Sequence, residues 1–102
     1  MKKFLYLYAG GQTPEGLSKA EIDKAMNAWV AYYAKLGDKI VDGGSPLGER
    51  QTVGGVAATM TTGYTFVKAP NLKAAVAMTK GHPHLAGGGT IEVLEVMPQP
   101  GM

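Results

Sequence analysis

The two histidines of this chain, His82 and His84, lie two positions apart across a proline, and a run of three glycines begins at Gly87. Imidazole is the side chain that most readily exchanges protons near neutral pH, so this pair is a candidate for acid–base chemistry. A carboxylate beside an imidazole can fix its tautomer, and Asp42, at the end of a short apolar segment, is the candidate for that role. The residues therefore predict a proton-transfer site in which Asp42 meets His82 or His84.

Each of these residues also has a purely structural interpretation. In that interpretation the histidines are partly solvated loop residues, because Gly81 caps the preceding helix and Pro83 stops it. Asp42 would then accept hydrogen bonds from turn amides, as aspartates beside glycines commonly do. If the histidine segment were extended, both imidazoles would point the same way. A metal would still need a further ligand from Asp42, Glu92 or a second subunit, and we expect neither a metal nor a cofactor.

Other side chains are candidates for holding a small molecule. Arg50, the only arginine, has the planar fork that binds carboxylates, although a loop arginine is commonly solvated or paired with a neighbour such as Glu49. Several aromatic residues could line a pocket with polar tips, or lie in the core or a subunit interface: Tyr6, Tyr8, Tyr64 and Trp29. The glycine run leads into a strand, which favours a turn over a phosphate cradle at a helix start.

Length and composition narrow the class of protein. The chain has 102 residues, which fits one domain spanning residues 1–102. Its 10 basic and 8 acidic residues are scattered and give a net charge of +2, so we expect no nucleic acid as partner. Cysteine is absent, which excludes disulfides and a cysteine nucleophile. The apolar start is too short for a signal peptide and no segment is long enough to span a membrane, so we expect a cytoplasmic protein.

The first half of the chain predicts a strand, a helix and a second strand. Residues 4–9 are an unbroken run of apolar and aromatic types, which favours a strand. Ser18 and Glu21 have the spacing of a capping box, and Gly37 can end the helix in a left-handed conformation. The apolar face of this helix is predicted from spacings of three and four: Ile22, Met26, Trp29, Tyr33 and Leu36. Residues 39–42 predict a short strand closed by a glycine-rich turn.

The second half predicts a strand, a helix and a final strand. Residues 59–67 follow a loop and alternate in the manner of a pleated strand. Asn71 is placed to cap a second helix, whose inward side is predicted to consist of Leu72, Ala75, Val76 and Thr79. Gly81 and Pro83 end that helix, and residues 90–97 form the last strand.

The order β-α-β-β-α-β is that of a ferredoxin-like α+β sandwich, in which two helices cover one face of a four-stranded antiparallel sheet. The first strand is apolar on both of its faces: Phe4, Tyr6 and Tyr8 alternate with Leu5, Leu7 and Ala9. Because the helices can cover only one face, we expect a second copy of the chain to cover the other and form a homodimer. The alternative is a large apolar ligand on that face of a monomer.

Four stretches of the chain resemble the YCII-related (YciI-like and DGPF) family: FLYLY at 4–8, DGGSP at 42–46, GYTFV at 63–67 followed by APNL at 69–72, and GTIEV at 89–93. The resemblance lies in the order and spacing of these stretches and extends over nearly the whole chain. It implies a dimeric α+β barrel. Some members of that family carry a histidine–aspartate pair in the cleft between helix and sheet, and have for that reason been suspected of enzymatic activity.

The resemblance implies that Asp42, at the end of the second predicted strand, is the counterpart of that aspartate in this chain. The first helix contains no histidine, so a pair would have to recruit His82 or His84, and the Asp-Gly-Pro-Phe signature of one branch is absent. Two functions remain open. One is a small-molecule-binding protein that could act as a weak lyase, isomerase or hydrolase. In it, Asp42 and a histidine would move protons, and Tyr64 or Arg50 would orient the substrate. The other is a non-catalytic dimerisation or regulatory module with a structural cleft.

Overall fold

A computed structural model describes residues 1–10, 16–55 and 60–98. Within these ranges the chain forms, in order, β1 (Lys2–Ala9), α1 (Lys19–Leu36), β2 (Ile40–Asp42), β3 (Thr61–Ala69), α2 (Leu72–Ala77), α3 (Pro83–Ala86) and β4 (Thr90–Glu95). A single 3₁₀ turn, Gly37–Lys39, joins α1 to β2. The predicted order of strands and helices is confirmed, with one short helix, α3, added before the last strand.

The four strands form one antiparallel sheet in the order β2-β3-β1-β4. The helices cover one face of this sheet, so the predicted ferredoxin-like α+β architecture is confirmed. The central strand, β1, pairs Leu5 with Phe66 and Leu7 with Tyr64 on β3. Because successive side chains on a strand point to opposite faces of the sheet, every second side chain of β1 points toward the helices.

The core lies between the helices and this face of the sheet. Its largest contributions come from β1 and β3, where alternate residues are buried while their neighbours are half-buried. The buried apolar residues are Phe4, Tyr6, Tyr8, Tyr32, Leu36, Val67, Ala69 and Ala75. Burial of these aliphatic and aromatic side chains contributes to the driving force for folding.

Helix α1 begins as the sequence predicts. The Ser18 hydroxyl accepts from the Glu21 amide at 3.2 Å, and the Ser18 amide donates to the Glu21 carboxylate at 3.2 Å. Gly37 ends the helix with a φ of 57°. The predicted apolar face is wrong at Met26, which is 61% exposed. The buried residues Tyr32 and Leu36 determine which side of the helix faces the sheet. Met26 is six residues before Tyr32 and therefore lies about 120° away from it around the helix axis.

Helix α2 is capped by Asn71, whose side chain accepts from the Ala74 amide at 2.8 Å, as the sequence predicts. Its inward side differs from the prediction, because Ala75 is fully buried whereas Leu72 and Val76 are exposed. The small alanine lets the helix backbone approach the sheet closely. The Tyr6 hydroxyl accordingly reaches across and donates to the Ala75 carbonyl at 2.6 Å.

The segment after α2 corrects a third prediction. Pro83 was expected only to stop a helix, but it also begins one, because proline at the first helical position lacks only an amide that would have no partner there. His82 is the N-cap of this helix, α3, and His84 lies within its first turn. The histidine segment is therefore not an extended loop.

The face of the sheet opposite the helices is apolar at its centre. Leu5, Leu7, Tyr64 and Phe66 are half-buried there in the single chain. At one end of this face Lys3 lies directly opposite Lys68, with the Lys3 ammonium 5.1 Å from the centre of the Phe66 ring. We call this surface the open face. None of the helices in the described ranges has the length and apolar character that a membrane crossing requires.

Candidate functional site

His82 occupies the interior of the protein, with only 1% of its surface exposed. Its Nδ1 atom accepts a hydrogen bond from the His84 amide at 3.1 Å, and its Nε2 atom lies 3.0 Å from the Tyr8 hydroxyl. An imidazole nitrogen that accepts from an amide carries no proton. The neutral ring therefore holds its proton on Nε2 and donates it to Tyr8.

A chain of hydrogen bonds continues from Tyr8. Its hydroxyl donates to Thr65 Oγ1 at 2.7 Å, and Thr65 in turn donates to the Gly43 carbonyl at 3.2 Å. The Tyr33 hydroxyl lies 3.0 Å from both the Gly43 carbonyl and Thr65 Oγ1. Each step has a donor and an acceptor, so the chain from His82 to the Gly43 carbonyl is fully satisfied. A satisfied buried network of this kind rigidifies the groups it connects.

Aromatic rings surround His82. The centre of its ring lies 4.3 Å from that of Tyr32, 4.8 Å from Trp29 and 5.1 Å from Tyr8. Burial, and next the nearby charge of His84, lower the pKa of His82 to about 4. Burial also raises the pKa of Tyr8 well above its usual value. Both groups are therefore neutral at pH 7, and His82 is too weak a base to take protons efficiently there.

His84 is half-buried at the edge of the same region. Its Nε2 atom lies 3.0 Å from the Ala9 carbonyl, which can only accept, so the neutral ring carries its proton on Nε2. The Nδ1 atom then holds the basic lone pair, and none of the described residues hydrogen-bonds to it. The position of this ring also explains why residue 89 is a glycine, since a Cβ atom there would collide with the His84 imidazole.

Three half-buried side chains form what we call the aromatic rim: Trp29, Tyr33 and His84. Trp29 meets Tyr33 edge to face at 5.8 Å and lies 6.4 Å from His84, measured between ring centres. Tyr8 lies behind the rim, 5.4 Å from Trp29 and 5.0 Å from His84. The rim combines flat apolar surfaces with one phenol hydroxyl and one imidazole, which suits a small, planar, partly polar molecule.

The expected pairing of Asp42 with an imidazole is not formed. Asp42 is exposed, and its carboxylate accepts from the Gly44 amide at 2.8 Å, the turn role that the sequence left open. The nitrogens of His82 are held by Tyr8 and the His84 amide instead. The alternative of two partly solvated loop histidines is also wrong for His82, because the ring is buried.

The structure separates the three predicted ligand-binding residues. Tyr6 is buried in the core, with its hydroxyl bound to the Ala75 carbonyl, and burial raises its pKa to about 12. Tyr64 lies on the open face beside Phe66, at a ring distance of 5.8 Å. Arg50 is exposed and donates to the Thr61 carbonyl at 2.6 Å. None of the three joins the aromatic rim.

Two members of the network were not among the predicted site residues. The sequence could have identified Thr65, because it lies two residues before Val67 and therefore on the same inward face of the strand. A hydroxyl group buried there needs a hydrogen-bond partner. Tyr33 was assigned to the apolar face of α1, and nothing local shows that its hydroxyl reaches the Gly43 carbonyl. Across the described part of the chain, no three side chains of His, Asp or Glu come together as a metal site would require.

Fold and site together describe a ferredoxin-like α+β domain with an aromatic, imidazole-bearing rim at one end of its helix-covered face. Among solved structures, the chain is similar to 5-chloro-2-hydroxyhydroquinone dehydrochlorinase (TftG) from Burkholderia phenoliruptrix AC1100, in complex with 2,5-dihydroxybenzoquinone. The TM-score is 0.57 at 22% identity, with 97% of this chain and 96% of that chain covered. This likeness shows the fold. No protein-family model and no curated protein sequence matches the chain, so membership of the YCII-related family stays a prediction.

Proposed function

We propose that this protein binds a small planar molecule against the aromatic rim and that His84 exchanges a proton with it. The observation that carries the proposal is the hydrogen bond from His84 Nε2 to the Ala9 carbonyl. A backbone carbonyl fixes the tautomer of this imidazole in the way a carboxylate does in other acid–base sites. The basic Nδ1 atom is then available beside Trp29, at a half-buried position that a ligand can reach.

The roles of the other expected catalytic residues change in this proposal. His82 is buried and its lowered pKa makes it a poor base at neutral pH, so it acts behind the site. Asp42 holds a turn and takes no part in proton transfer. Tyr33, half-buried and hydrogen-bonded to Gly43, replaces Tyr64 and Arg50 as the residue that orients the ligand.

The structural neighbour supports the choice of ligand class at the level of the fold. Its structure holds 2,5-dihydroxybenzoquinone, which is a small planar ring with acidic hydroxyl groups. A molecule of this type could stack on Trp29 and place a hydroxyl group near an imidazole. It therefore serves as a probe of the proposed site.

Calorimetric titration of the protein with 2,5-dihydroxybenzoquinone tests the proposal. Repeating the titration in two buffers of different ionisation enthalpy measures the protons taken up or released on binding. We expect the wild type to bind with a proton change. His84→Gln keeps a polar side chain of similar length but has no titratable group, and should lose the proton change together with about tenfold or more in affinity.

Asp42→Asn is the matched control, because it removes the charge of the other predicted site residue. It should bind the probe as the wild type does. If Asp42→Asn loses affinity while His84→Gln does not, the site predicted from the sequence is right and the aromatic rim is wrong. If wild type, His84→Gln and Trp29→Leu all give the same heats as buffer, the protein does not bind this class of molecule and the second function below is favoured.

The second candidate function is a dimerisation module, and the open face is the observation that favours it. Leu5, Leu7, Tyr64 and Phe66 form an apolar strip that one chain leaves half covered. A second copy fits this surface by charge as well, since Lys3 lies at one end of the face and Glu92 lies opposite Leu7 toward the other. A two-fold axis perpendicular to the strands places the lysine of each copy near the Glu92 of the other.

Sedimentation velocity tests the homodimer. We expect the wild type to sediment with twice the mass of the chain and Leu5→Glu to sediment as a single folded chain. Val30→Glu introduces the same charge at an exposed apolar residue on α1 and should leave the dimer intact. A wild type that remains a single chain at micromolar concentration would contradict the dimer, whereas the test of the aromatic rim would be unaffected.

A further inference from the structure

His82 contacts three elements at once and is buried behind the proposed site. Its ring touches β1 through Tyr8, α1 through Trp29 and Tyr32, and α3 through its own position as the N-cap. The titratable groups that face it are Tyr6 and Tyr8 from β1, Tyr32 from α1 and His84 from α3. No carboxylate or ammonium is among these neighbours in the described residues, so the ring has no ionic partner and is held by hydrogen bonds and packing.

One hydrogen bond joins the His82 side chain to the backbone of His84. The His82 Nδ1 atom accepts from the His84 amide, which is the bond that an N-cap side chain makes to the first turn of a helix. Helix α3 has only four residues, and this cap adds a side-chain hydrogen bond to the backbone bonds that its amides and those just after it make to the His82, Pro83 and His84 carbonyls. Since the His84 side chain projects from that same turn, the cap fixes the backbone from which the His84 ring reaches the Ala9 carbonyl.

The cap depends on the tautomer of His82, and Tyr8 selects it. A ring with its proton on Nδ1 could not accept from the His84 amide. The Tyr8 hydroxyl donates to Thr65 and therefore presents a lone pair to His82 Nε2, which favours the proton on Nε2. Thr65 is held in turn by the Gly43 carbonyl. The direction of every bond in the chain agrees with a capping Nδ1.

We propose that His82 is the positioning residue for His84: as a neutral ring protonated on Nε2 by its bond to Tyr8, it caps α3 and holds the His84 imidazole against Ala9 with Nδ1 toward the ligand. The inference rests on the function proposed for His84. It gives a functional role to His82, which is too deeply buried to contact a ligand itself. It also makes Tyr8 and Thr65 part of the hydrogen-bond network that orients His84.

Long-range ¹H–¹⁵N correlation spectra test this directly, because the chain has only two histidines and each tautomer gives a distinct pair of nitrogen shifts. In the wild type at pH 7.5, both rings should show a protonated Nε2 and an unprotonated Nδ1. His82→Asn keeps a side-chain acceptor at the N-cap, and should preserve the single His84 tautomer and the affinity for 2,5-dihydroxybenzoquinone to within about threefold.

His82→Leu removes the acceptor while filling the space. We expect its His84 nitrogens to give averaged shifts of two tautomers and its affinity for the probe to fall by about tenfold or more. Tyr8→Phe leaves the backbone and the cap residue in place, so it decides the question if His82→Leu does not fold. In that variant the His82 nitrogens should show partial protonation of Nδ1.

A His82 ring protonated on Nδ1 in the wild type would overturn the proposal. So would a folded His82→Leu whose His84 keeps one tautomer and binds the probe like the wild type, or a Tyr8→Phe whose His82 nitrogens are unchanged. The outcome is separable from the function proposed above. If the tautomers respond as expected but His84→Gln binds the probe normally, His82 positions His84 and the acid–base function of His84 is wrong.

Discussion

His82 and His84 are two residues apart, yet the regions around them differ in almost every physical respect. His82 lies in a cage of aromatic rings with both nitrogens hydrogen-bonded and its surface 1% exposed. His84 lies at the half-buried rim with one nitrogen bound to a backbone carbonyl. The difference suits His82 to hold the structure together, and it supports the proposal that His84 meets the ligand. The turn of α3 between them creates this division, because residues on a helix do not share a face at a spacing of two.

The largest expected contrast is in stability. His82→Ala leaves a cavity among the aromatic rings, removes the cap of α3 and leaves the Tyr8 hydroxyl without its donor. We expect a loss of about 3–5 kcal/mol in the free energy of unfolding. His84→Ala should cost under about 1 kcal/mol because the side chain is half-buried and makes one bond. Urea unfolding followed by circular dichroism at pH 7.5 measures both, and equal losses would remove the distinction between the two regions.

The next contrast is in the dependence of stability on pH. Burial lowers the pKa of His82 to about 4 in the folded protein, whereas in the unfolded chain this pKa has its ordinary value of about 6.5. Between these values the unfolded state binds more protons, so stability falls as the pH falls, by about 3 kcal/mol across the window for this one group. Above pH 6.5 the group contributes no slope.

His82→Asn isolates this contribution, since carboxylates also titrate at low pH. The difference in unfolding free energy between wild type and His82→Asn should shrink as the pH is lowered from 6.5 to 4. A wild type whose stability advantage over His82→Asn stays constant through this range would show that His82 is not held neutral.

The hydroxyl groups behind the rim give a smaller contrast. Tyr8→Phe leaves the ring but removes the hydroxyl that joins His82 to Thr65, and should cost about 1–2 kcal/mol because both partners are buried. Tyr33→Phe removes a half-buried hydroxyl and should cost about half as much. Thermal unfolding of the two variants side by side measures the difference. A larger loss of stability for Tyr33→Phe than for Tyr8→Phe would show that the hydroxyl group at the rim stabilises the fold more than the buried one does.

Gly89→Ala acts on the His84 side of the comparison. The added methyl would occupy space taken by the His84 ring, so the imidazole must move away from the Ala9 carbonyl. Because the ring can swing outward, we expect a loss of under about 1 kcal/mol in stability. Affinity for 2,5-dihydroxybenzoquinone should fall several-fold, by the same titration as above, while the His82 nitrogen shifts stay unchanged.

The smallest expected effect is at Asp42. Asp42→Ala removes one exposed hydrogen bond to the Gly44 amide and should cost about 0.5–1 kcal/mol, with no change in probe affinity. Gly44 itself is more demanding, since its φ is 73° and a Cβ atom there would collide with the Tyr64 carbonyl. A strong effect of Asp42→Ala on binding would restore the aspartate to the site.

The fold was largely predictable because its signals are local. Ser18 and Glu21 form the capping box within four residues, and Asn71 caps its own helix. The unbroken apolar run of β1 and the alternation along β3 identify the strands. The errors at Met26 and Val76 arose where several apolar residues compete for the inward side of a helix. Packing against the sheet, which the spacing alone does not contain, decides between them.

The site was predictable only in part. Both histidines were identified, but the partner of His82 is Tyr8, 74 residues earlier in the chain, and no local pattern connects the two. Asp42 was the obvious carboxylate by type, yet its side chain accepts a hydrogen bond from the Gly44 amide two residues away and not from an imidazole. A proline between two histidines can signal either an extended chain or a helix start, and only the burial of His82 under α1 decides for the second.

The most direct test of this account is the rate at which diethyl pyrocarbonate modifies each histidine, read by mass spectrometry of the folded protein at pH 7. The account predicts that the half-buried His84 is modified rapidly at its Nδ1 atom, to which none of the described residues hydrogen-bonds. His82 should remain unmodified until the protein is unfolded in urea. Equal rates for the two histidines in the folded state, or faster modification of His82, would contradict it.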